Sequence, residues 1–189
     1  MAFFEMNLAN RITTVRIFLI PLIVFFLLYS SKYYMHLIAA LIFGIASLTD
    51  IIDGYIARNR NQITTLGKLL DPIADKLLTS SALISLVDLQ KAPAWIVVLI
   101  IGRDFCIDGL RSIAATQGLV IQASTLAKYK TVFEIIAILL LILAGANQEI
   151  IYFYNAGLGL IFFTAVISVI SGVQYFSDFR KSLALSVGK

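Results

Sequence analysis

With 60% hydrophobic and 14% charged residues and a mean hydropathy of +0.93, the 189-residue chain falls well short of the quarter or so of charged residues in an average soluble domain. This composition excludes an ordinary soluble fold and predicts an integral membrane protein, with residues 1–189 forming a single membrane domain of six spans at roughly 20 residues each. The net charge of +4 informs less than the distribution of its Lys and Arg, and the single cysteine, Cys106, excludes an intrachain disulfide and is expected to be buried filler.

Taken in chain order, apolar runs predict helical spans near 11–30, 35–57, 70–88, 93–112, 129–147 and 150–176, an all-α polytopic architecture. The first run, RIFLIPLIVFFLLYS, has the basic flank and apolar core of a signal peptide. No A-x-A-like cleavage site follows it, so a retained span is expected, kinked at Pro21. With the N-terminus in the cytoplasm, the inner side collects Arg11, Arg16, Arg58, Arg60, Lys68, Lys76, Arg103, Arg111, Lys128, Lys130, Arg180, Lys181 and Lys189. Only Lys32 and Lys91 remain outside, and that asymmetry predicts an even number of spans in the cell membrane with both termini inside. Trp95, Tyr33, Tyr34, Tyr152 and Tyr154 lie near span ends, as aromatic belts do. His36 falls at the outer end of the second span and reads as an interfacial residue without a chemical role. The sequence carries no internal repeat, Walker loop, zinc-ligand spacing or nucleophile elbow.

The stretch LTDIIDGYIARNRNQITTLGKLLDPIADK, residues 48–76, sets four aspartates in this apolar background. Asp50 and Asp53 are three apart and Asp71 and Asp75 four apart, so each pair shares a helical face, and an antiparallel hairpin can bring those faces together at the cytoplasmic end. One aspartate inside a bilayer costs roughly 2.5 to 3.5 kcal/mol on insertion scales, and four neighbours repel one another besides. Arg58, Lys68 and Lys76 can neutralise part of that charge, while a cluster of carboxylate oxygens suits hard divalent cations, two of which would balance four carboxylates and still bind phosphate oxygens. Gly54, Ala57 and Gly67 leave room for a ligand against the backbone; close helix packing is the other use of such small residues.

A second basic set follows: Arg103, Arg111, Lys128 and Lys130. Arg103 and Arg111 are close to two helical turns apart and could hold a further phosphate on one face. Snorkelling to anionic headgroups is the alternative for such residues, and Asp104, Asp108 and Glu134 are candidate ion-pair partners in a purely structural network. A divalent-cation transporter would also use buried aspartates, but would extend its ionisable residues toward the outer face, where charge is sparse here.

The pattern Asp50-x-x-Asp53-Gly54-x-x-Ala57-Arg58 followed by Gly67-x-x-x-Asp71-x-x-x-Asp75 resembles the complete signature of the CDP-alcohol phosphotransferases. NRITTVRIFLIP, with Asn10, Thr13 and Arg16, is similar to that family's N-terminal motif, and the six spans agree with its six-helix core. The resemblance implies that Asp50, Asp53, Asp71 and Asp75 hold two magnesium or manganese ions, with Asp75 also the general base. It further implies that Asn10, Thr13, Gly54, Ala57, Arg58 and Gly67 contact the CDP moiety. The later segments GRDFCIDGLRSIAATQG and STLAKYKT are most similar to the members that transfer a phosphatidyl group from CDP-diacylglycerol to sn-glycerol 3-phosphate, which would place the acceptor phosphate on Arg103, Arg111 and Lys128. Ala127 and Glu134 depart from the glycine and glutamine usual there. The same chemistry with inositol phosphate, serine or phosphatidylglycerol is the alternative. The family also implies a homodimer in membrane lipid and no nucleic-acid partner.

Overall fold

The computed structural model describes residues 8–29, 32–59, 65–116, 125–146 and 151–187. It consists of six α-helices: α1 (Leu8–Leu28), α2 (Tyr33–Asn59), α3 (Thr65–Asp88), α4 (Ala94–Thr116), α5 (Thr125–Ala146) and α6 (Ile151–Val187). Each overlaps one of the expected spans. The largest difference is α6, whose 37 residues continue eleven positions beyond the expected end, because QYFSDFRKSLALSV contains no proline or glycine to stop a helix. At 1.5 Å per residue α6 is about 55 Å long, well over the thickness of a hydrocarbon layer.

Packing closes the helices into a ring in the order α1, α2, α5, α6, α4, α3 and back to α1, with α3 also reaching α5 across the middle. The acidic side chains of α2 and α3 that the expected hairpin would bring together lie outside the described residues, Asp75 excepted. Among the described residues α2 and α3 touch only slightly, and α1 packs broadly on both. All six helices feed one core, exemplified by Ile23, Phe43, Leu83, Ile100, Leu141 and Ile161. α5 and α6 approach most closely at Gly157, where a Cβ would come within 2.9 Å of the Leu141 side chain, so glycine is required there.

The outward faces are as apolar as the core. Phe18, Leu41, Val98, Val166 and Val173 are all exposed, a surface that water would not tolerate over this extent but lipid would. Cys106 belongs to this outer surface next to exposed Phe105, a correction to the buried placement expected from its residue type. Among the described residues, Ile151–Lys181 of α6 is the one segment both long and apolar enough to cross a membrane by itself. Among the described residues, Ile12–Leu28 and Tyr33–Thr49 are shorter apolar segments.

Helix ends α1–α2, α3–α4 and α5–α6 meet at one pole of the bundle. There the tyrosines Tyr33, Tyr34 and Tyr152 and Trp95 are exposed in the manner of an aromatic belt. The α3–α4 turn is closed by Lys91 N–H donating to Leu86 O (2.8 Å) and Gln90 N–H to Val87 O (2.9 Å), with Gln90 at φ 55°. This is the left-handed helix cap usually given to glycine. His36 at the same pole is buried rather than interfacial, covered as α2 packs between α1 and α5.

Candidate functional site

At the opposite pole the buried stripes of the helices change from apolar to polar. On α4 the stripe Ile96, Ile100, Asp104, Ile107 keeps helical spacing, so Asp104 occupies a core position and is 4% exposed. On α5 the stripe of Leu141, Ile138 and Ala137 continues into Glu134 and Lys130, the latter 1% exposed. On α6 it continues into Thr164, Ser168 and Ser171. Charges in such positions are tolerable only if they are paired and hydrogen-bonded.

They are. Asp104 Oδ2 accepts from Lys130 Nζ (2.6 Å) and Lys76 Nζ (3.3 Å), while its Oδ1 accepts from Arg103 Nη1 (2.9 Å). Lys130 Nζ also meets Glu134 Oε2 at 2.5 Å. Arg103 Nη2 donates to Ser171 Oγ (2.8 Å), and its side chain lies over Gly172, where a Cβ would come within 3.3 Å of Arg103 Cγ. Arg103 Nε–H is buried without a hydrogen-bond partner among the described residues, an open donor inside the cluster. The network thus ties α3, α4, α5 and α6 together.

Asp75 stands at the edge of this network. Its Oδ2 is 3.9 Å from Lys76 Nζ, and it is half-buried on α3, with Thr79 Oγ1 donating to its backbone carbonyl (3.2 Å). Asp50 and Asp53 lie within continuous α2, and Asp71 and Asp75 within continuous α3, so the three- and four-residue spacings do put each pair on one helical face. Pro72, inside α3, removes the N–H that would bond the Lys68 carbonyl and loosens the helix at the acidic segment. The side chains of Asn10, Asp50, Asp53, Gly54, Ala57, Arg58, Gly67 and Asp71 lie outside the described residues. Among the described residues no group of three or more acidic, His or Cys side chains forms a metal cluster, and the one described member of the acidic quartet is Asp75.

Of the N-terminal motif, Thr13 is buried on α1 and Arg16, 2% exposed, donates from Nε to the Ala46 carbonyl of α2 (3.2 Å). The Thr49 hydroxyl also donates to that carbonyl (2.8 Å). Arg16 therefore fastens α1 one turn before Asp50. That role is not visible in the N-terminal motif, because a helix-to-helix bond to a backbone carbonyl has no sequence signal.

The basic set divides by environment. Arg103 and Lys130 are inside; Arg111 and Lys128 are exposed. Arg103 and Arg111 do share a face, since both lie against one stripe of α6: Arg103 on Ser171, and Arg111 over the Tyr175 ring at 5.7 Å. The three candidate acids sort differently: Asp104 pairs with Arg103, Asp108 with Arg111 (3.5 Å), and Glu134 with Lys130. Lys76, expected to neutralise part of the aspartate charge, pairs with Asp75 and reaches Asp104 as well.

Comparison with known proteins identifies relatives along nearly the whole chain. A CDP-diacylglycerol--glycerol-3-phosphate 3-phosphatidyltransferase of Bacillus subtilis is 43% identical, covering 95% of this chain and 98% of its own length. A protein of the same name from Rickettsia bellii is 38% identical over 93% of this chain and 96% of its own. One from Salmonella choleraesuis is 33% identical over 95% and 98%. The family model for CDP-alcohol phosphatidyltransferase matches residues 6–170, a stretch that takes in the N-terminal motif, both acidic pairs and the whole buried ion network. With that match and the unbroken acidic signature on α2 and α3, the chain belongs to the CDP-alcohol phosphatidyltransferase family.

Proposed function

We propose that the protein transfers the phosphatidyl group of CDP-diacylglycerol to sn-glycerol 3-phosphate, giving phosphatidylglycerol phosphate and CMP. The observation that carries this reading is the contact chain Asp75–Lys76–Asp104–Arg103, which sets the last residue of the acidic signature beside the basic set. Donor and acceptor chemistry would then share one pole of the bundle. The names of the relatives support the choice of acceptor.

Charge favours a phosphate-bearing acceptor. Lys76, Arg103, Arg111, Lys128 and Lys130 supply five positive charges against four negative ones on Asp75, Asp104, Asp108 and Glu134, an excess of one. A phosphomonoester carries about −1.5 to −2 near neutral pH. Arg111 and Lys128 are the exposed cations that would meet the acceptor phosphate first, and Arg103 the inner one, with its Nε–H free for a phosphate oxygen. Asn10, Thr13, Gly54, Ala57, Arg58 and Gly67 would hold the CDP moiety.

The family uses divalent metal ions. The donor set fits them: four carboxylates on two helices, each pair on one face. Asp50, Asp53, Asp71 and Asp75 would hold two magnesium or manganese ions, which when bound supply positive charge against the pyrophosphate and the leaving CMP. Asp75 would also take the proton from the acceptor hydroxyl, acting chiefly as that hydroxyl becomes acidic in the transition state. All six helices would span the cell membrane as one domain, residues 1–189, with the charged pole in the cytoplasm, the diacylglycerol tails in lipid, and a second copy completing a homodimer.

Purified protein with CDP-diacylglycerol, magnesium and a panel of acceptors tests the assignment by CMP release. Release is expected with sn-glycerol 3-phosphate. Release only with inositol phosphate, serine or phosphatidylglycerol would overturn it.

A further inference from the structure

We propose that Asp104 is a positioning residue for the transfer: one buried carboxylate that sets both the catalytic carboxylate on α3 and the acceptor-binding guanidinium on α4. The proposal rests on the reading of Asp75 and Arg103 given above.

Three features single out Asp104. First, it is the hub: cations from α3, α4 and α5 converge on its two oxygens, Lys76 and Lys130 on Oδ2 and Arg103 on Oδ1. Lys76 and Lys130 each pair with two carboxylates among the described residues, and Arg103 and Glu134 with one charged partner each. Second, its bond to Arg103 runs between sequence neighbours, whose side chains leave a helix about 100° apart and do not normally meet. Arg103 must turn back along α4 to reach Oδ1, and Ser171 Oγ fixes the other end of the same guanidinium while Gly172 makes room for the stem. The plane of Arg103 is thereby set by two acceptors, and its Nε–H is left without one. Third, Lys76 Nζ lies 3.3 Å from Asp104 and 3.9 Å from Asp75, so Asp104 holds the ammonium off the base. Without that pull Lys76 would close on Asp75 and compete for the oxygens that the reaction needs.

Two consequences are separable from a role in stability alone. Loss of the Asp104 charge releases Arg103 and weakens acceptor binding. It also lets Lys76 settle on Asp75 and slows turnover. The residues assigned to the CDP moiety, Asn10, Thr13, Gly54, Ala57, Arg58 and Gly67, are other than Lys76 and Arg103, so the affinity for CDP-lipid is expected to change least.

Asp104→Asn keeps the shape of the side chain and removes its charge. In the full-length protein in detergent, the expected result is an acceptor KM at least tenfold higher, kcat at least tenfold lower and a CDP-diacylglycerol KM within twofold of the parent. Calorimetric titration with sn-glycerol 3-phosphate alone should show the same loss of affinity without turnover. A second substitution, Lys76→Met, should restore part of kcat in the Asp104→Asn background, because it removes the ammonium that settles on Asp75 once Asp104 no longer holds it; a further fall in kcat would overturn that part of the role. Should Asp104→Asn fold poorly, Asp104→Glu retains the charge displaced by one methylene and should raise the acceptor KM at least threefold. Acceptor affinity and kcat unchanged in the folded fraction of either variant would overturn the positioning role. So would an equal rise in both KM values. A parent protein that releases CMP with another acceptor but not with glycerol phosphate would overturn the assigned activity instead, and is read before any variant.

Discussion

At one pole of the bundle Leu27, Leu86 and Ile96 close the core with aliphatic contacts and a tight hydrogen-bonded turn; at the other, Asp104, Lys130 and Glu134 occupy equivalent stripe positions with ion pairs. Both poles are buried by the same six helices, yet among the described residues the buried ion pairs gather at one of them, while the other buries the single imidazole of His36. Replacing a buried ion cluster by well-packed apolar side chains is often neutral or stabilising, so stability does not account for the charged pole. Its charges are organised around Asp75 and the excess of positive charge beside it, which is what an anionic reaction needs. Substitutions at the apolar pole should therefore change stability and leave kinetics alone, whereas substitutions at the charged pole should change kinetics in the folded fraction, over and above the cost of any buried charge left unpaired.

Removal of divalent metal gives the largest expected effect. Chelation should abolish CMP release, with recovery on adding magnesium or manganese, and activity persisting in excess chelator would contradict the role of the acidic pairs. Asp75→Asn should lower turnover by about 10²- to 10⁴-fold with little change in thermal midpoint or CDP-lipid KM. Near-parental turnover would remove Asp75 as the base. Arg103→Ala should raise the acceptor KM by about 10- to 100-fold, the loss of a charge-assisted bond worth roughly 1.5 to 3 kcal/mol, with a much smaller change for CDP-diacylglycerol.

The apolar pole should answer differently. Gly157→Leu forces a side chain against Leu141 across the α5–α6 contact and should cost about 1 to 3 kcal/mol in thermal or denaturant unfolding, while the folded fraction keeps its KM values. A kinetic defect without loss of stability would blur the division between the poles. Gln90→Gly, at the left-handed position of the α3–α4 turn, is the smallest effect: a gain of about 0.5 to 1 kcal/mol with unchanged turnover. A loss of stability there would mean that the Gln90 side chain contributes more than its backbone strain costs.

Much of this was legible in residue order. Six apolar runs announced six helices, and the acidic spacing at Asp50, Asp53, Asp71 and Asp75 announced the family and its chemistry, because helical periodicity is a local property. Partner choice was less legible. Asp108 and Glu134 were credible partners for Arg103, but the structure joins them to Arg111 and Lys130, which lie three and four residues away on their own helices. Cys106 was misjudged because residue type predicts burial in water-soluble proteins, where an outward cysteine faces solvent rather than lipid. The length of α6 was underestimated because loss of hydropathy was read as the end of a helix, when it marks only the end of its apolar part.

Sequence by itself settled the helical content, the apolar exterior, the family signature and which pole carries the charge, since each follows from composition or from spacings shorter than two helical turns. The ring order of the helices and the wedge of α1 against both α2 and α3 came only from tertiary packing, as did the convergence of Lys76, Arg103 and Lys130 on Asp104. Those depend on contacts between residues up to 68 positions apart, as Arg103 and Ser171 are, and no local pattern encodes which buried cation will meet which buried carboxylate.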